Sequence, residues 1–385
     1  MSSTRALNSR LSPRWIRSET ADSRAPMLDR ILLTNFRNHR QTAIEGTAHF
    51  NLLAGENGAG KTNVLEALSM LAPGRGLRRA ALADMAAQGG GGGFAISAEL
   101  MTPAGEVRLG TGTAPERSSR RIVQINQADA PAVRLAEWLS IGWLTPAMDR
   151  LFAEGASSRR RFLDRLVLAA RPDHARNAAR LEAAIRERNR MLGDESDPDP
   201  QWLDAIEAQI ADAGVSVASA RAEMTARLEG ALARLPDSPF ARPSLAYQPG
   251  GPVEQGALAA ALAGNRWRDR AAQRTLIGPH RDELAVTMAG KGQQAAECST
   301  GEQKAMLIAI TLAHAGVLES DRPRLLLLDE VAAHLDPVRR EALFDRLREG
   351  TAQVWLTGTE LAPFHAIERE AAVWRVSEGA LERIG

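Results

Sequence analysis

The chain has a single cysteine, Cys298, in 385 residues. An intramolecular disulfide framework and a multi-cysteine metal site are therefore excluded, and this usage suits a reducing compartment. Long apolar runs are also missing. The longest candidate, Leu325 to Leu328, has a charge on either side and falls far short of a bilayer span, so a soluble, cytoplasmic protein with no membrane partner is expected. Nor is there an excess of charge of either sign, with 48 Lys and Arg against 47 Asp and Glu. Any affinity for nucleic acid must then come from a local basic patch. The first 26 residues lack apolar periodicity and are rich in Ser and Arg. They read as a disordered extension or a mis-assigned start with Met27 as the true first residue, and no apolar segment there supports secretion.

What is present is a chain longer than one compact core usually holds. The segment Arg30 to Asn38 alternates like a strand, and His49 to Ala54 is a short apolar strand running into a glycine-rich loop. Asn63 to Leu71 then carries Val64, Leu65, Leu68 and Leu71 at helical spacing. Five consecutive glycines, Gly89 to Gly93, lead into alternating segments at Phe94 to Leu100, Glu106 to Gly110 and Arg121 to Asn126, which predict an antiparallel meander. Near Trp143 the character changes, and helix formers dominate from Arg159 to Leu235. A helix over Ala175 to Leu192 and a stripe at Trp202, Ile206, Ile210, Ala213, Val217, Ala220, Met224 and Leu228 flank the acidic turn Gly193 to Pro200. This predicts two long antiparallel helices, read as a protruding arm in preference to an ordinary helical core. Beyond Leu276, strand and helix signals alternate, with a helix at Ala305 to Leu318 and strands at Arg324 to Leu328 and Ala352 to Thr357, as in a parallel sheet with crossover helices. An α/β fold split by a helical insert follows. The expected units are residues 1–26 outside the fold, a first lobe at 27–142, a mainly helical arm at 143–272 and a second lobe at 273–385.

The chemistry starts at Gly55, Glu56, Asn57, Gly58, Ala59, Gly60, Lys61 and Thr62, which match G-x-x-x-x-G-K-[ST] between a strand and a helix. Glycines let backbone N–H groups turn toward phosphates, and the helix start adds its positive end. Lys61 is placed to reach the β and γ phosphates of ATP and the Thr62 hydroxyl to sit on Mg2+. The apolar strand Leu325 to Leu328 ends in Asp329 and Glu330. One carboxylate there can hold the magnesium, usually through water, and its neighbour can deprotonate the attacking water; these roles fall to Asp329 and Glu330 in that order.

From the Asp-Glu pair onward the chain resembles hydrolytic ABC-type ATPases. Ser299, Thr300, Gly301, Glu302 and Gln303, just before a helix, resemble the signature loop of that family, S-G-G-Q in its common form. The resemblance implies that Ser299 and Gly301 close over the γ phosphate bound by another copy. Thr300 and Glu302 depart from the pattern and leave the role of Gln303 open. Read alone, the same stretch is a helix cap with a capping box. His334, Leu335 and Asp336 lie at the distance of the family's D-loop, which crosses the dimer interface. Where the family has a switch histidine this chain reads Leu356, Thr357, Gly358, Thr359, so γ-phosphate sensing falls to another group, Thr357 or Thr359, and slow hydrolysis is expected.

Four further segments resemble the RecF family specifically: Leu33 to Arg40 (LTNFRNHR), Gly55 to Leu68, Leu144 to Arg165 and Gly278 to Leu284 (GPHRDEL). The resemblance implies a P-loop ABC-type head with an inserted arm, ATP-dependent homodimerisation, and weak ATP hydrolysis acting as a switch. It also implies binding to gapped DNA or single/double-strand junctions, and cooperation with RecR and RecO in loading recombinase during DNA repair and replication, including the SOS response. In support, Ser157 to Arg165 and the arm residues Arg176, Arg180, Arg186, Arg188 and Arg190 offer local positive charge, although ion pairs with Glu182 and Glu187 are an equal reading. His280 and Arg281 are either DNA or nucleotide contacts or partners of Asp282 and Glu283, and no DNA-contacting residue is singled out. The alternatives are the ATPase subunit of a transporter, which carries only a short helical subdomain, and a metabolic kinase, which lacks the signature and the Asp-Glu pair.

Overall fold

In the computed structural model, residues 28–102, 105–194, 198–236, 238–318 and 322–385 are described. The expected extension at residues 1–26 lies outside them. The first lobe opens with the hairpin β1 (Leu28–Phe36) and β2 (His39–Glu45), then β3 (Phe50–Ala54) and α1 (Lys61–Ser69). Its meander is β4 (Phe94–Thr102), β5 (Gly105–Ala114), β6 (Arg117–Ile125) and the short β7 (Ala128–Asp129). These form an antiparallel sheet in the order β2-β1-β4-β5-β6-β7. The segment read as one strand to Asn38 is thus a strand and a tight turn, with Arg37 in the left-handed region at φ 54.

The chain then supplies β8 (Ser140–Leu144), α2 (Ala156–Ala170), α3 (His174–Gly193), α4 (Pro200–Leu232), β9 (Pro243–Gln248), α5 (Gln255–Gly264) and α6 (Arg266–Ala271). The last part adds β10 (Glu283–Met288), β11 (Gln293–Gln294), α7 (Thr300–Val317), β12 (Arg324–Leu328), α8 (Pro337–Glu349), β13 (Gln353–Gly358), β14 (Ala371–Ser377) and β15 (Ala380–Arg383). A second sheet runs β15-β14-β3-β13-β12-β8, parallel from β8 to β14 and closed by antiparallel β15. Strand β8, at the change of character near Trp143, belongs to this sheet.

The sheet is buried on both faces, so its strands read as continuous apolar runs. Leu325 and Leu327 of β12 join Trp355 and α1 in the core against the meander. Leu326 and Leu328 point into the other core, with Val354, Leu356 and helix α7. One long helix ties arm to head. Ile210, Ala213 and Val217 of α4 pack with Leu181 of α3 and Leu258 of α5, while Ala220, Met224, Leu228 and Leu232 enter the head's own core. Trp202, expected within the apolar stripe, is two-thirds exposed.

Of the arm arginines, Arg188 is committed to structure, while Arg180, Arg186 and Arg190 stay exposed in surface ion pairs. Arg188 is fully buried and donates to Glu207 (2.9 Å), Asp269 (2.6 Å), Thr275 Oγ1 (2.9 Å) and the Leu262 carbonyl (2.9 Å). A guanidinium so enclosed is unavailable to DNA, and truncating it would leave two buried carboxylates uncompensated. Arg180 pairs with Asp212, Arg186 with Glu182 and Arg190 with Glu187. At the junction of arm and head, Arg221 of α4 bridges Asp164 of α2 and Asp282 of the GPHRDEL segment. Tyr247 also donates to Asp282, at 2.6 Å.

A buried histidine makes the fold acid-sensitive. His314 of α7 bonds the Leu166 carbonyl through Nε2 at 2.9 Å, and burial outweighs that bond to push the imidazole down to about 4. The folded value lies below the unfolded one, so the contribution is fully present above about pH 6.5 and is lost as the pH falls toward 4. At most about 3 kcal/mol is involved. Denaturant titrations at pH 7 and 5 should show weaker folding at pH 5, and a flatter pH dependence for His314→Gln. An unchanged slope would assign the acid sensitivity elsewhere.

Candidate nucleotide site

The end of β3 passes directly into the glycine loop, whose position is set by neighbours on every side. Gly55 N–H donates to the Gly358 carbonyl at 3.2 Å, and a Cβ on Gly55 would stand 2.2 Å from the Val376 oxygen, so only glycine fits between the strands. Gly60, at φ 118, caps α1 in a backbone conformation that L side chains rarely adopt. Lys61 is 4% exposed, and its Nζ donates to the Gly55 (2.7 Å) and Glu56 (2.8 Å) carbonyls, spanning the loop. Burial lowers the Lys61 pKa, while Glu330 and Asp329 act to keep it charged.

The β1–β2 turn braces this loop, a role that its sequence did not signal. Asn38 Nδ2 donates to the Ala59 carbonyl at 2.9 Å, and Asn63 Nδ2 of α1 donates back to Asn38 Oδ1 at 2.7 Å. His39, fully buried, lies 3.2 Å from the Gly60 carbonyl through Nε2 and 3.1 Å from Thr42 Oγ1 through Nδ1. Burial keeps its pKa below the ordinary value. The fully buried Glu66 of α1 receives Arg37 through two bonds (2.9 and 2.7 Å) and Arg78 at 2.9 Å. The family segment LTNFRNHR is thus scaffolding for the phosphate cradle.

Strand β12 delivers the carboxylates to the same place. Asp329, 6% exposed, accepts from Thr62 Oγ1 (2.9 Å) and Thr357 Oγ1 (2.8 Å) through one oxygen, Oδ1. Burial raises its pKa, opposed by those two hydroxyls. Glu330 follows in the left-handed region at φ 54, uncommon for a side-chain-bearing residue and frequent where function holds a strained backbone. Its N–H donates to Thr357 Oγ1 at 2.9 Å. Thr357 therefore has both its donor and an acceptor engaged on the Asp-Glu pair, whereas Thr359, just beyond β13, is exposed.

The oxygen set fits magnesium. The Thr62 hydroxyl and the Asp329 carboxylate meet at hydrogen-bond distance beside the phosphate cradle, and hard oxygen donors that leave room for water and phosphate suit this ion. Among the described residues no cluster of three or more His, Cys, Asp or Glu forms a metal cage.

Ser299 caps α7 in a full capping box: Glu302 N–H donates to Ser299 Oγ at 3.4 Å, and Ser299 N–H donates to Glu302 Oε2 at 2.9 Å. Lys291 and Ser299 hold the Glu302 carboxyl at about 2. Gly301 is exposed, and buried Gln303 turns back to donate to the Cys298 carbonyl at 2.9 Å. The stretch is a helix cap, and Ser299 and Gly301 are exposed. Among the described residues no hydrogen bond joins it to the phosphate loop of its own chain. In the candidate D-loop, Asp336 caps α8 through Arg339 N–H at 3.0 Å and Leu335 is buried; the His334 side chain lies outside the described residues. His280 Nε2 bonds the Thr275 carbonyl at 2.8 Å, so its ring serves the fold.

A parallel sheet with a glycine-lysine-threonine loop on one strand, a buried Asp-Glu pair on another, a Ser-Gly loop on a helix start and an inserted helical arm defines an ABC-type ATPase head of the SMC kind. The family model described as the RecF/RecN/SMC N terminal domain matches residues 27–381. The chain belongs to the RecF family. It is 47% identical over 370 residues to the DNA replication and repair protein RecF of Mesorhizobium japonicum, covering 92% of this chain and 97% of that one. With the protein of the same description from Brucella abortus it shares 46% over 369 residues, 92% of this chain and 96% of that one. Among solved structures it is similar to the recombination mediator protein RecF with ATP in the RecFOR pathway (TM-score 0.82, 20% identity, 93% and 98% coverage). It is also similar to an Smc head domain with an extended coiled coil bound to ScpA from Pyrococcus furiosus (TM-score 0.53, 14% identity, 93% and 96% coverage). These likenesses establish the fold. Among the described residues no helix is long and apolar enough to cross a membrane.

Proposed function

We propose that the chain is an ATP-switched DNA clamp acting as a recombination mediator in the cytoplasm, at gaps or single/double-strand junctions, with RecR and RecO as partners in loading recombinase. The observation that carries this reading is the division of the site. The phosphate loop and the Asp329–Glu330 pair converge within one chain, whereas Ser299 and Gly301 present an outward Ser-Gly helix start with no partner in their own phosphate loop. A second copy completes the site, its Gly301 N–H, and its Ser299 N–H once released from Glu302, facing the γ phosphate, where a helix N-terminus favours an anion.

Bound magnesium would be held by Thr62 and Asp329 and would neutralise phosphate charge. Lys61 binds the β and γ oxygens, and the backbone of Gly58 to Thr62 orients the chain of phosphates. Glu330 takes the proton from the attacking water, its carboxylate aimed by the Thr357 bond to its N–H. Thr359 is the group left free to sense the γ phosphate, and a neutral hydroxyl in place of an imidazole accords with slow hydrolysis. Hydrolysis resets the dimer and does no chemistry on DNA. Residues 27–142 and 273–385 serve as the two head lobes and 143–272 as the arm-bearing unit. The arm, anchored by α4 in the head core, sets this chain apart from a transporter subunit. The test is ATP-dependent retention: purified protein should stay on gapped duplex with ATP and leave when ATP is withdrawn, and no DNA binding in saturating ATP would refute the reading.

A further inference from the structure

The SSRRRFLDR segment splits into two pairs of arginines. Arg159 makes a bidentate pair with Glu283, both bonds at 2.7 Å, and Arg160 donates to the Asp282 carbonyl at 2.8 Å. Arg161 and Arg165 instead line a cleft of about 400 Å³ between α2, β8, the start of α3 and the loop after α1. Its walls include Leu139, Trp143, Phe162 and Ala178. The Arg165 guanidinium lies 4.4 Å from the Trp143 ring centroid and 5.2 Å from that of Phe162. Its other contacts are to Met148 Sδ, at 3.5 and 3.6 Å. Among the described residues it has no ion pair, its buried Nε has no hydrogen-bond partner, and burial pushes its pKa down to about 9.

A desolvated guanidinium without a counter-charge is costly to hold, and its planar face and unsatisfied Nε–H suit the face and acceptor edge of a base. His174, 3% exposed, lines the same cleft; its Nε2 bonds Asp164 at 2.8 Å, while its buried Nδ1 has no partner. At the mouth stand Arg75, Arg79 and Arg161, none in an ion pair among the described residues. Arg79 occupies the left-handed region at φ 57. Burial lowers its pKa, and the adjacent charges of Arg161 and Arg75 lower it further, against Glu182. Three like charges are thus gathered around an aromatic cavity whose deepest cation is unpaired.

We propose that this cleft receives one unstacked nucleotide of a DNA single strand, with its base against Trp143, Phe162 and Arg165 and its flanking phosphates on Arg75, Arg79 and Arg161. The volume lies in the range of ligand pockets, aromatic and guanidinium faces suit base stacking, and the cationic rim suits the backbone. A base paired and stacked within a duplex cannot lay its face on these side chains without leaving the stack, so the site reads the single-stranded side of a junction. This inference rests on the DNA reading above and gives it a location.

Fluorescence anisotropy of a labelled oligothymidylate and of a blunt duplex, with full-length protein, magnesium and a non-hydrolysable ATP analogue, tests it. Arg79→Ala/Arg161→Ala alters two exposed side chains and should leave the melting temperature and nucleotide affinity unchanged. The expected result is single-strand binding weakened about 10-fold or more, with a log K against log salt slope shallower by about 1.4 and duplex binding retained. Single-strand affinity and slope equal to those of the unsubstituted protein would overturn the proposal. If the unsubstituted protein bound no DNA, the clamp reading would fall too; if it bound and the double variant matched it, this inference alone would fall.

Discussion

Replacing Lys61 with alanine is expected to weaken ATP binding by about two orders of magnitude or more and to abolish hydrolysis. The Lys61 ammonium is almost wholly enclosed, with the carbonyls of Gly55 and Glu56 as its acceptors and the carboxylates Asp329 and Glu330 as its charge partners. A triphosphate entering the cradle meets that charge with little water to screen it, and truncating one partner of such a pair costs about 2–5 kcal/mol. Calorimetric titration of ATP reads the loss directly. Because Lys61 also ties the loop together, its melting temperature without nucleotide serves as the control: an intact fold with lost binding places the effect on the phosphates. Unchanged affinity would remove the loop from nucleotide binding altogether.

Replacing Glu330 with glutamine should have the opposite profile, with ATP affinity kept and hydrolysis lowered by about 10²- to 10⁴-fold, the range of a positioned general base. The amide matches the carboxylate in shape, and the N–H bond to Thr357 is a backbone bond that the substitution leaves in place. Only the ability to take a proton is lost. Single-turnover hydrolysis with quantified bound nucleotide separates the two quantities, and a rate within a few-fold of the original would move the base elsewhere. The strained backbone at φ 54 also implies that Glu330 is held for its position, since the strain costs of order 1–3 kcal/mol.

The parts legible in the sequence share one property, which is contiguity. The phosphate loop, the LLLLDE strand and the capping box at Ser299 are each set by residues within eight positions of one another, and the structure places them on the strand ends and helix start that their chemistry requires. Periodicity carried the meander and the antiparallel pair α3 and α4 for the same reason. What escaped depends on partners far along the chain. Arg188 looks like one more surface arginine until Asp269, 81 positions away, and Glu207 enclose it. Thr357 resembled a γ-phosphate sensor by position, yet its hydroxyl is engaged by Asp329 and Glu330, 28 and 27 positions back. Trp202 fits a helical stripe at its end, where the burying neighbours run out. Asn38 and His39 were visible only as a family segment, because bracing a loop 21 residues away leaves no local pattern.

In the proposed clamp, a site divided between copies would turn ATP from a fuel into a joint. Among the described residues no hydrogen bond joins the Ser299 helix start to the cradle of its own chain, and its capping box is already satisfied. On that reading, closing two heads would supply each cradle with the other's Ser-Gly backbone and set Asp336 at the seam, so dimer lifetime would become the lifetime of the γ phosphate. DNA held by the closed pair would then be released on hydrolysis.

Light-scattering mass measurement of Glu330→Gln in saturating ATP and magnesium tests this most directly. A particle of twice the chain mass, reverting to the monomer with ADP and prevented by adding Ser299→Arg to the same chain, is the predicted result. A monomer that binds ATP fully yet never pairs would contradict the shared site.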